Sequence, residues 1–462
     1  MPGTMPGSNR DKTHIPTAQA YPAAGIGWYS TILLAFLYWL SILDRSIISL
    51  LVDPIKQDLG ISDVQFGMLH GLAFAITFSI FGLLAGTFAD HFNRRKIVFF
   101  SVAIWSLATA TCGLAHSFWH LLLARVGVGA GEAGLNPSAT SIIADLFPPT
   151  KLTTAMAIYS LGASAGSGCA YLLGGYLINL VSGLTVVTLP IVGDVAPWQS
   201  VFFIIGVPGL LISLLTFTMP EPCRRGVRQK THESSLLASV FASYVELFKF
   251  MKARKQFFLF HYLGFGFATL CFVGASAWLP ALMGRTFGWD TGKIGLSLGI
   301  VLIVGGVLGK FLCGYFVDAL QRNGHKDAQF LWYAVCLIVV LPIGVIAVTS
   351  ENPWVFLGFI TVFIVLMSPI TAVYAAALNL VTPNELRGTG IAFYSAAVGL
   401  LTLSLGPILV AAISDYVYGG NAIGTAMATL FCICCPLAAV ILFFGRPHMR
   451  AAVIDAEQWY GN

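Results

Sequence analysis

Apolar residues fall along this chain in twelve long stretches, at 27–52, 63–89, 96–115, 118–146, 152–181, 198–219, 257–285, 291–319, 329–349, 354–382, 386–417 and 421–445. Each reaches the ~20 residues that a helix needs to cross a bilayer. The run 137–183 can be divided in more than one way. Helices are the expected form, because lipid offers a backbone N–H or C=O no partner outside its own segment. The short alternating segments of a membrane β-barrel are absent. Polar breaks are short except at 220–256, which parts the twelve into six and six. The pattern predicts a tail at 1–26, a bundle at 27–219, a linker at 220–256, a bundle at 257–445 and a tail at 446–462.

Composition agrees. Hydrophobic residues make up 57% of the chain and charged residues 10%, against roughly 25% charged in a soluble domain. No interval is long enough for a soluble catalytic domain, and no nucleophile–base pair or metal set stands out in the spans, so an enzyme is not expected. The first 26 residues hold no apolar core, so the first span is expected to insert the chain without a secretory leader. With a cytoplasmic N-terminus, nineteen Lys and Arg of the connections and tails lie inside, and only Lys56, Arg285 and Lys293 outside. By the positive-inside rule, both termini and the linker belong on the cytoplasmic side, here of a cell inner membrane. The net charge of +5 is thereby explained by the anionic leaflet, without a nucleic-acid partner. Within the linker, Leu237, Val240, Phe241, Tyr244, Val245, Phe248 and Met251 recur at helical spacing ahead of Lys249, Lys252, Arg254 and Lys255. That pattern predicts an amphipathic helix in the interface. The nine cysteines form no pairs in outer loops, and Cys432-Ile433-Cys434-Cys435 has no His or carboxylate beside it. Neither a disulfide framework, nor a metal, nor a cofactor is expected.

One hairpin occurs twice. Gly86, Asp90 and Arg94 stand four apart, with Arg95 and Lys96 following, and Gly314, Asp318 and Arg322 repeat them 228 residues later without the basic cluster. A charged hairpin repeated at half-length indicates two related halves. Asp90, Arg94, Asp318 and Arg322 are candidate gating residues, since helix-end ion pairs can form and break as halves rock. Gly129-Ala-Gly131-Glu132-Ala-Gly134 spells a dinucleotide fingerprint, but no strand precedes it, and close helix packing explains it better. Gly305–Lys310 lacks the spacing and the Ser/Thr of a phosphate loop.

Charges inside the spans need a reason, because each costs about 2.5–3.5 kcal/mol at mid-bilayer on insertion scales. Asp44 and Arg45 lie in the first stretch, Arg125 and Glu132 in the fourth, and Lys310 toward the inner end of the eighth. The second half otherwise offers only His261 at depth. At 1.5 Å per residue, Glu132 falls near the midplane, with Asp44 about 6 Å and Arg125 about 10 Å to its outer side. Two helical turns put Arg125 and Glu132 on one face. If the first and fourth helices are neighbours, Asp44 comes within reach of Arg125. Arg45 then pairs elsewhere or reaches Glu132.

Proton coupling needs a carboxylate that alternates between desolvation and an arginine partner. Glu132 is the first candidate for that role and Asp44 the second. Arg45 and Arg125 are candidates for binding an anionic head group. His261, Tyr262, Phe265, Tyr374, Asn379 and Tyr394 are candidates for lining the opposite side of the substrate site. The plainer alternative is a set of ion bridges that holds helices together.

These residues carry a family resemblance. Gly86-x3-Asp90-x3-Arg94-Arg95-Lys96 resembles the loop motif between the second and third helices of the major facilitator superfamily, and Arg125-x3-Gly129-x-Gly131-Glu132 resembles its fourth-helix motif. Leu43-Asp44-Arg45, followed by Pro54-Ile55-x2-Asp58-Leu59-Gly60-Ile61-Ser62-Asp63-x-Gln65-x-Gly67, resembles the bacterial-type Spinster branch of lysolipid transporters. Organic-anion symporters share parts of the first-helix pattern. The resemblance implies an all-α membrane protein with twelve transmembrane helices in two pseudo-symmetric six-helix bundles, the major facilitator fold. It further implies a central cavity, alternating access, and carriage of a lysophospholipid or sphingosine-1-phosphate-like lipid by a monomer, coupled to protons. The fifth stretch has Gly162-x3-Gly166-x-Gly168 without the Gly-Pro of many drug–proton antiporters, and Gly406-Pro407 lies in the eleventh instead. Multidrug antiport is therefore disfavoured. Two other readings stay open: a proton-coupled symporter of small organic anions, with a compact polar cavity, and a receptor or scaffold that transports nothing.

Overall fold

The computed structural model describes residues 21–460 apart from 182, 185, 191, 225–235 and 421. The chain runs up and down through twelve spans. Spans 1 to 3 are Ala24–Ile47, Asp63–His91 (with a π turn at Met68–Leu72) and Arg94–Cys112. Span 4 is made of Phe118–Glu132 and Leu135–Leu146; spans 5 and 6 are Pro149–Val181 and Pro197–Ser213. Spans 7 to 9 are Lys255–Phe287, Thr291–Arg322 and Ala328–Thr349. Span 10 is made of Pro353–Met367 and Ile370–Val381, and spans 11 and 12 are Asn384–Ala412 and Ile423–Tyr460. Ten of these are long and apolar enough to cross a membrane on length and composition alone; spans 4 and 5 complete the set.

Polar residues set the ends. Side chains of Asn93, Ser117, Asp290 and Asn352 accept backbone N–H groups at the starts of spans 3, 4, 8 and 10, and Ser62 with Gln65 forms a capping box on span 2. One element was not legible in the pattern. A two-stranded hairpin, β1 (Val187–Leu189) against β2 (Gly193–Val195), lies between spans 5 and 6.

Twelve crossings leave both chain ends on one face, here the terminal face, with the distal face opposite. The bundles of spans 1–6 and 7–12 meet near the distal face through glycines. A Cβ on Gly71 of span 2 would lie 2.1 Å from the Leu403 carbonyl oxygen of span 11. One on Gly175 of span 5 would lie 2.8 Å from Gly295 Cα of span 8. Backbones this close admit no side chain. Gly82, Gly86, Gly314 and Gly388, in the terminal-face parts of spans 2, 8 and 11, meet nothing within 4 Å. The halves are thus closed distally and parted toward the terminal face.

Each bundle is tied at the terminal face by a buried charge. Arg94 opens span 3, donates to Asp145 at the end of span 4, and reaches Glu221 Oε1 (2.8 Å) and the Pro222 carbonyl (2.7 Å) beyond span 6. Asp327, just before span 9, accepts from Arg446 and Arg450 of span 12. The two ties occupy equivalent places with the charges exchanged. Span 12 stays helical to Tyr460, through the interval read from the sequence as a tail. The linker forms a helix at Leu236–Ala253 whose Tyr244 and Phe248 pack on Phe393 of span 11, with Leu247 fully buried. Phe241 is exposed, and the side chains of Leu237 and Val240 lie outside the described residues.

Burial alone would raise the Asp327 carboxyl, but hydrogen bonds from Arg446 and Arg450 outweigh it and hold it below the ordinary carboxylate range. A carboxylate depressed in the folded state stabilises above its unfolded pKa, about 4, and loses that contribution as pH falls through the folded value. Asp327→Asn is therefore expected to lower the melting temperature in detergent by a few degrees at pH 7. The gap to wild type should shrink as pH drops below about 4. An equal gap at pH 7 and pH 3 would show that the pair contributes no ionic stability.

Candidate functional site

Polar side chains from the first four spans converge where the bundle interior is otherwise apolar. Near the distal end of span 1, Ser41, Asp44 and Arg45 meet two neighbours, one on span 4 and one on span 3. Ser41 Oγ donates to Glu132 Oε2 at 2.7 Å, and Arg45 Nη2 donates to the same oxygen. Asp44 Oδ2 instead accepts from Thr109 of span 3. Arg125 is 0% exposed, and none of its three guanidinium nitrogens has a hydrogen-bond partner. Glu132 Oε1 and Asp44 Oδ1 are likewise buried and unpartnered. Two acids and two bases make the cluster neutral overall when all are charged.

Aromatic faces complete it. The Arg45 guanidinium carbon lies 4.3 Å from the Phe74 ring centre and 4.9 Å from that of Phe78, and Arg125 lies 5.8 Å from Phe74. Such stacking partly replaces the hydration that a buried guanidinium loses. His70 sits on the π turn of span 2, within electrostatic range of both arginines, with Nδ1 buried and unpartnered. An extra residue in one helical turn is a local distortion often found at functional positions. Glu132 ends the first piece of span 4, immediately before the break at Ala133–Gly134.

One expected contact is corrected. Asp44 and Arg125 are not hydrogen-bonded, although they remain in electrostatic range. The short Asp44 side chain points to span 3, while the longer Arg45, about 100° around the helix, spans the gap to Glu132.

Across the interface, His261, Tyr262, Phe265, Tyr374 and Tyr394 do come together. His261 is buried with Nε2 3.0 Å from the Tyr374 carbonyl oxygen. The Tyr374 and Tyr394 rings are 4.2 Å apart, Tyr262 and Tyr394 5.0 Å, and His261 and Phe265 5.0 Å. Tyr38 of span 1 stacks on Tyr159 of span 5 and lies within electrostatic range of Tyr374, so a tyrosine-rich wall faces the interface from both halves. Asn379 does not join this wall. It lines a separate cavity with Lys310 and Asp318.

The gating candidates divide. Arg94 is buried, with its partners Asp145 and Glu221 inside its own bundle; the Asp90 side chain lies outside the described residues. Asp318 and Arg322 form no ion pair with each other among the described residues. The ion pairs that do join the halves were missed. Arg285, at the distal end of span 7, donates to Asp53 Oδ1 (2.7 Å) and to both Asp63 oxygens (2.9 Å each), and Lys56 also holds Asp63. The one sequence signal for this clamp was its rarity: Arg285 is among three basic residues outside the positive face.

The model of the Major Facilitator Superfamily matches residues 34–400. The chain belongs to that superfamily. It is a multi-pass membrane transporter, with the two six-helix bundles of the major facilitator fold. Among its superfamily relatives, an MFS-type efflux pump of Mycolicibacterium smegmatis is 27% identical over 93% of this chain and 94% of its own length. The cis,cis-muconate transport protein of Acinetobacter baylyi is 25% identical over 90% and 94%. Protein spinster homolog 1 of Xenopus laevis is 26% identical over 89% and 76%, in keeping with the Spinster-like motifs around Asp44 and Asp63. A crystal structure of a bacterial homolog to the human lysosomal transporter Spinster, inward-facing and unoccupied, superposes with a TM-score of 0.75 at 24% identity, covering 94% of this chain and 98% of that one. These relatives are transporters, not enzymes.

Proposed function

We propose that this protein is a proton-coupled secondary transporter of an amphipathic anion, of the lysophospholipid or sphingosine-1-phosphate-like class. In this reading it works as a monomer in a cell inner membrane, with both termini and the open side of the cleft cytoplasmic. The observation that carries it is the pairing of Arg45 with Glu132 beside a fully buried Arg125 whose guanidinium has no partner.

The charge balance supplies the mechanism. With both acids ionised the cluster is neutral, so a proton on Glu132 leaves it with one net positive charge and releases Arg45. An anionic head group restores neutrality by taking Arg45 and Arg125. Proton and anion thus favour each other's binding, and by linkage the effect is reciprocal. Asp44, held by Thr109, is the second proton acceptor. Filling the cluster removes the cost of buried charge at mid-bilayer, which lets the halves rock about the site. Opening the distal side then requires the Arg285 clamp to break. The tail lies against Tyr262, Phe265, Tyr374 and Tyr394.

A second reading, transport of small organic anions, is favoured by the compactness of the charged cluster and by the muconate transport protein among the relatives. Competition decides between them. Radiolabelled lysophosphatidylethanolamine binding to purified protein should resist displacement by millimolar cis,cis-muconate. Displacement by muconate, with no lysolipid preference, would favour the small anion.

A further inference from the structure

We infer that spans 8 to 11 build a second ligand site, for a head group that carries both an anion and a hydrogen-bond donor. The ligand's identity rests on the transport reading above, while the site rests on its own geometry. A cavity of about 590 Å³ is lined by Lys310, Asp318, Gln321, Gln329, Asn379 and Arg387. Lys310, Gly314, Asp318 and Gln321 recur on one face of span 8. Lys310 is twelve residues, about 18 Å, from the end of that helix, so the cavity occupies the terminal-face part of the second bundle. It is not the Glu132 cluster.

A buried polar atom of the lining suits the cavity to a polar occupant, and a second lies next to the lining residue Pro369. Gln329 is 2% exposed, lines the cavity, and its Oε1 has no hydrogen-bond partner. Ser368 Oγ is also buried and unpartnered, at the break between the two pieces of span 10. That hydroxyl stands beside Gly309, where an added Cβ would lie 2.8 Å from it. The break does not need a ligand for its own sake, since Tyr333 Oη donates to the Met367 carbonyl at 2.9 Å. A buried acceptor left unsatisfied costs about 1–3 kcal/mol, so Gln329 is placed at a cost to the fold alone.

Pseudo-symmetry gives a further argument. The fourth span of each half is broken, after Glu132 in one and at Ser368–Pro369 in the other. Pro369 lines the cavity. Interrupted helices in corresponding positions mark binding sites in transporters of this architecture.

The lining specifies the ligand. Lys310 and Arg387 suit a phosphate or carboxylate, and Gln329 Oε1 and Asp318 suit a hydroxyl or ammonium. A small dianion would meet Asp318 with like charge. Beside the cavity, Phe311, Leu312, Tyr315 and Phe316 of span 8 are exposed, which gives an acyl chain an apolar path outward. The fitting ligand is a single-chain lipid with a zwitterionic or hydroxyl-bearing phosphate head, held between the leaflet and the midplane cluster.

The test counts bound lysophosphatidylethanolamine on the purified full-length protein by native mass spectrometry, with free phosphoethanolamine as competitor, alongside flux in proteoliposomes. Wild type should bind two lipids, and Lys310→Ala or Gln329→Leu one. Both variants should raise KM for flux about tenfold, the worth of one charge-assisted hydrogen bond, and keep the pH response. Lys310→Arg should restore binding. Gln329→Leu removes an unsatisfied acceptor, so its melting temperature should not fall while binding is lost, which separates a ligand role from a structural one. Competition by free phosphoethanolamine would show that the head group alone is recognised; its failure would show that the chain is required, and either result keeps the site. Unchanged stoichiometry and KM in both variants would overturn the inference, as would loss of the pH response. If wild type moves no lysolipid, the transport reading fails, and the lipid count still decides the site.

Discussion

Glu132→Gln should abolish the response of lysophospholipid flux to a pH gradient and lower net flux roughly a hundredfold. Glutamine keeps the size of the side chain and can still accept from Ser41, but it cannot neutralise Arg45. Breaking a buried ion pair in this way costs about 3 kcal/mol or more, which is about two decades in a rate or population. The variant also imitates the protonated acid. Lysolipid binding should therefore survive and lose its dependence on pH, and exchange of labelled for unlabelled lipid should continue. Wild type should bind more tightly when protons are supplied. Retained gradient-driven flux in Glu132→Gln would remove this residue from the coupling role and leave Asp44 as the candidate.

The second large effect is expected at the distal clamp. Arg285→Glu deletes the contacts to Asp53 and Asp63 and replaces them with like charges. Asp63 is buried and Arg285 partly so, so screening removes only part of the interaction. A shift on the order of 3 kcal/mol would move the ratio of distally closed to distally open protein by about two decades. Spin labels, one on the distal face of each half, should report a longer distance in the variant than in wild type. Double replacement, Arg285→Glu with Asp63→Arg, should recover part of the closed population. An unaltered distance distribution would show that the glycine contacts of Gly71 and Gly175, rather than the ions, hold the face shut.

Much of this was legible in the sequence because membrane insertion constrains it so strongly. Twelve apolar runs had to be helices, and charges inside them had to meet. Arg125 and Glu132 could be placed on one face from spacing alone, while the partner of Arg45 stayed open. What spacing could not give was rotation of one helix against another. The partner of Asp44 turned out to be Thr109, a residue with no charge to draw attention. Phe74 and Phe78, four apart on span 2, gave no signal in the sequence of their place against Arg45. Asn379 was grouped with the tyrosines, but it stands five residues after Tyr374 on the second piece of span 10, about 140° around the helix, and so lines the other cavity. The distal clamp joins residues 222 and 232 positions apart, and no local pattern announces such a pair. Nor did the Arg94 motif announce that its partners Asp145 and Glu221 come from the end of span 4 and from beyond span 6.

The most direct measurement is proton movement driven by the lipid itself. Lysophosphatidylethanolamine would be added to proteoliposomes that hold a trapped pH-sensitive dye, with no imposed gradient. The expected result is a change in internal pH that saturates with lipid and disappears in Glu132→Gln. Lipid uptake at the wild-type rate with no proton movement would contradict coupling through Glu132, and the absence of both in folded protein would contradict lysolipid transport.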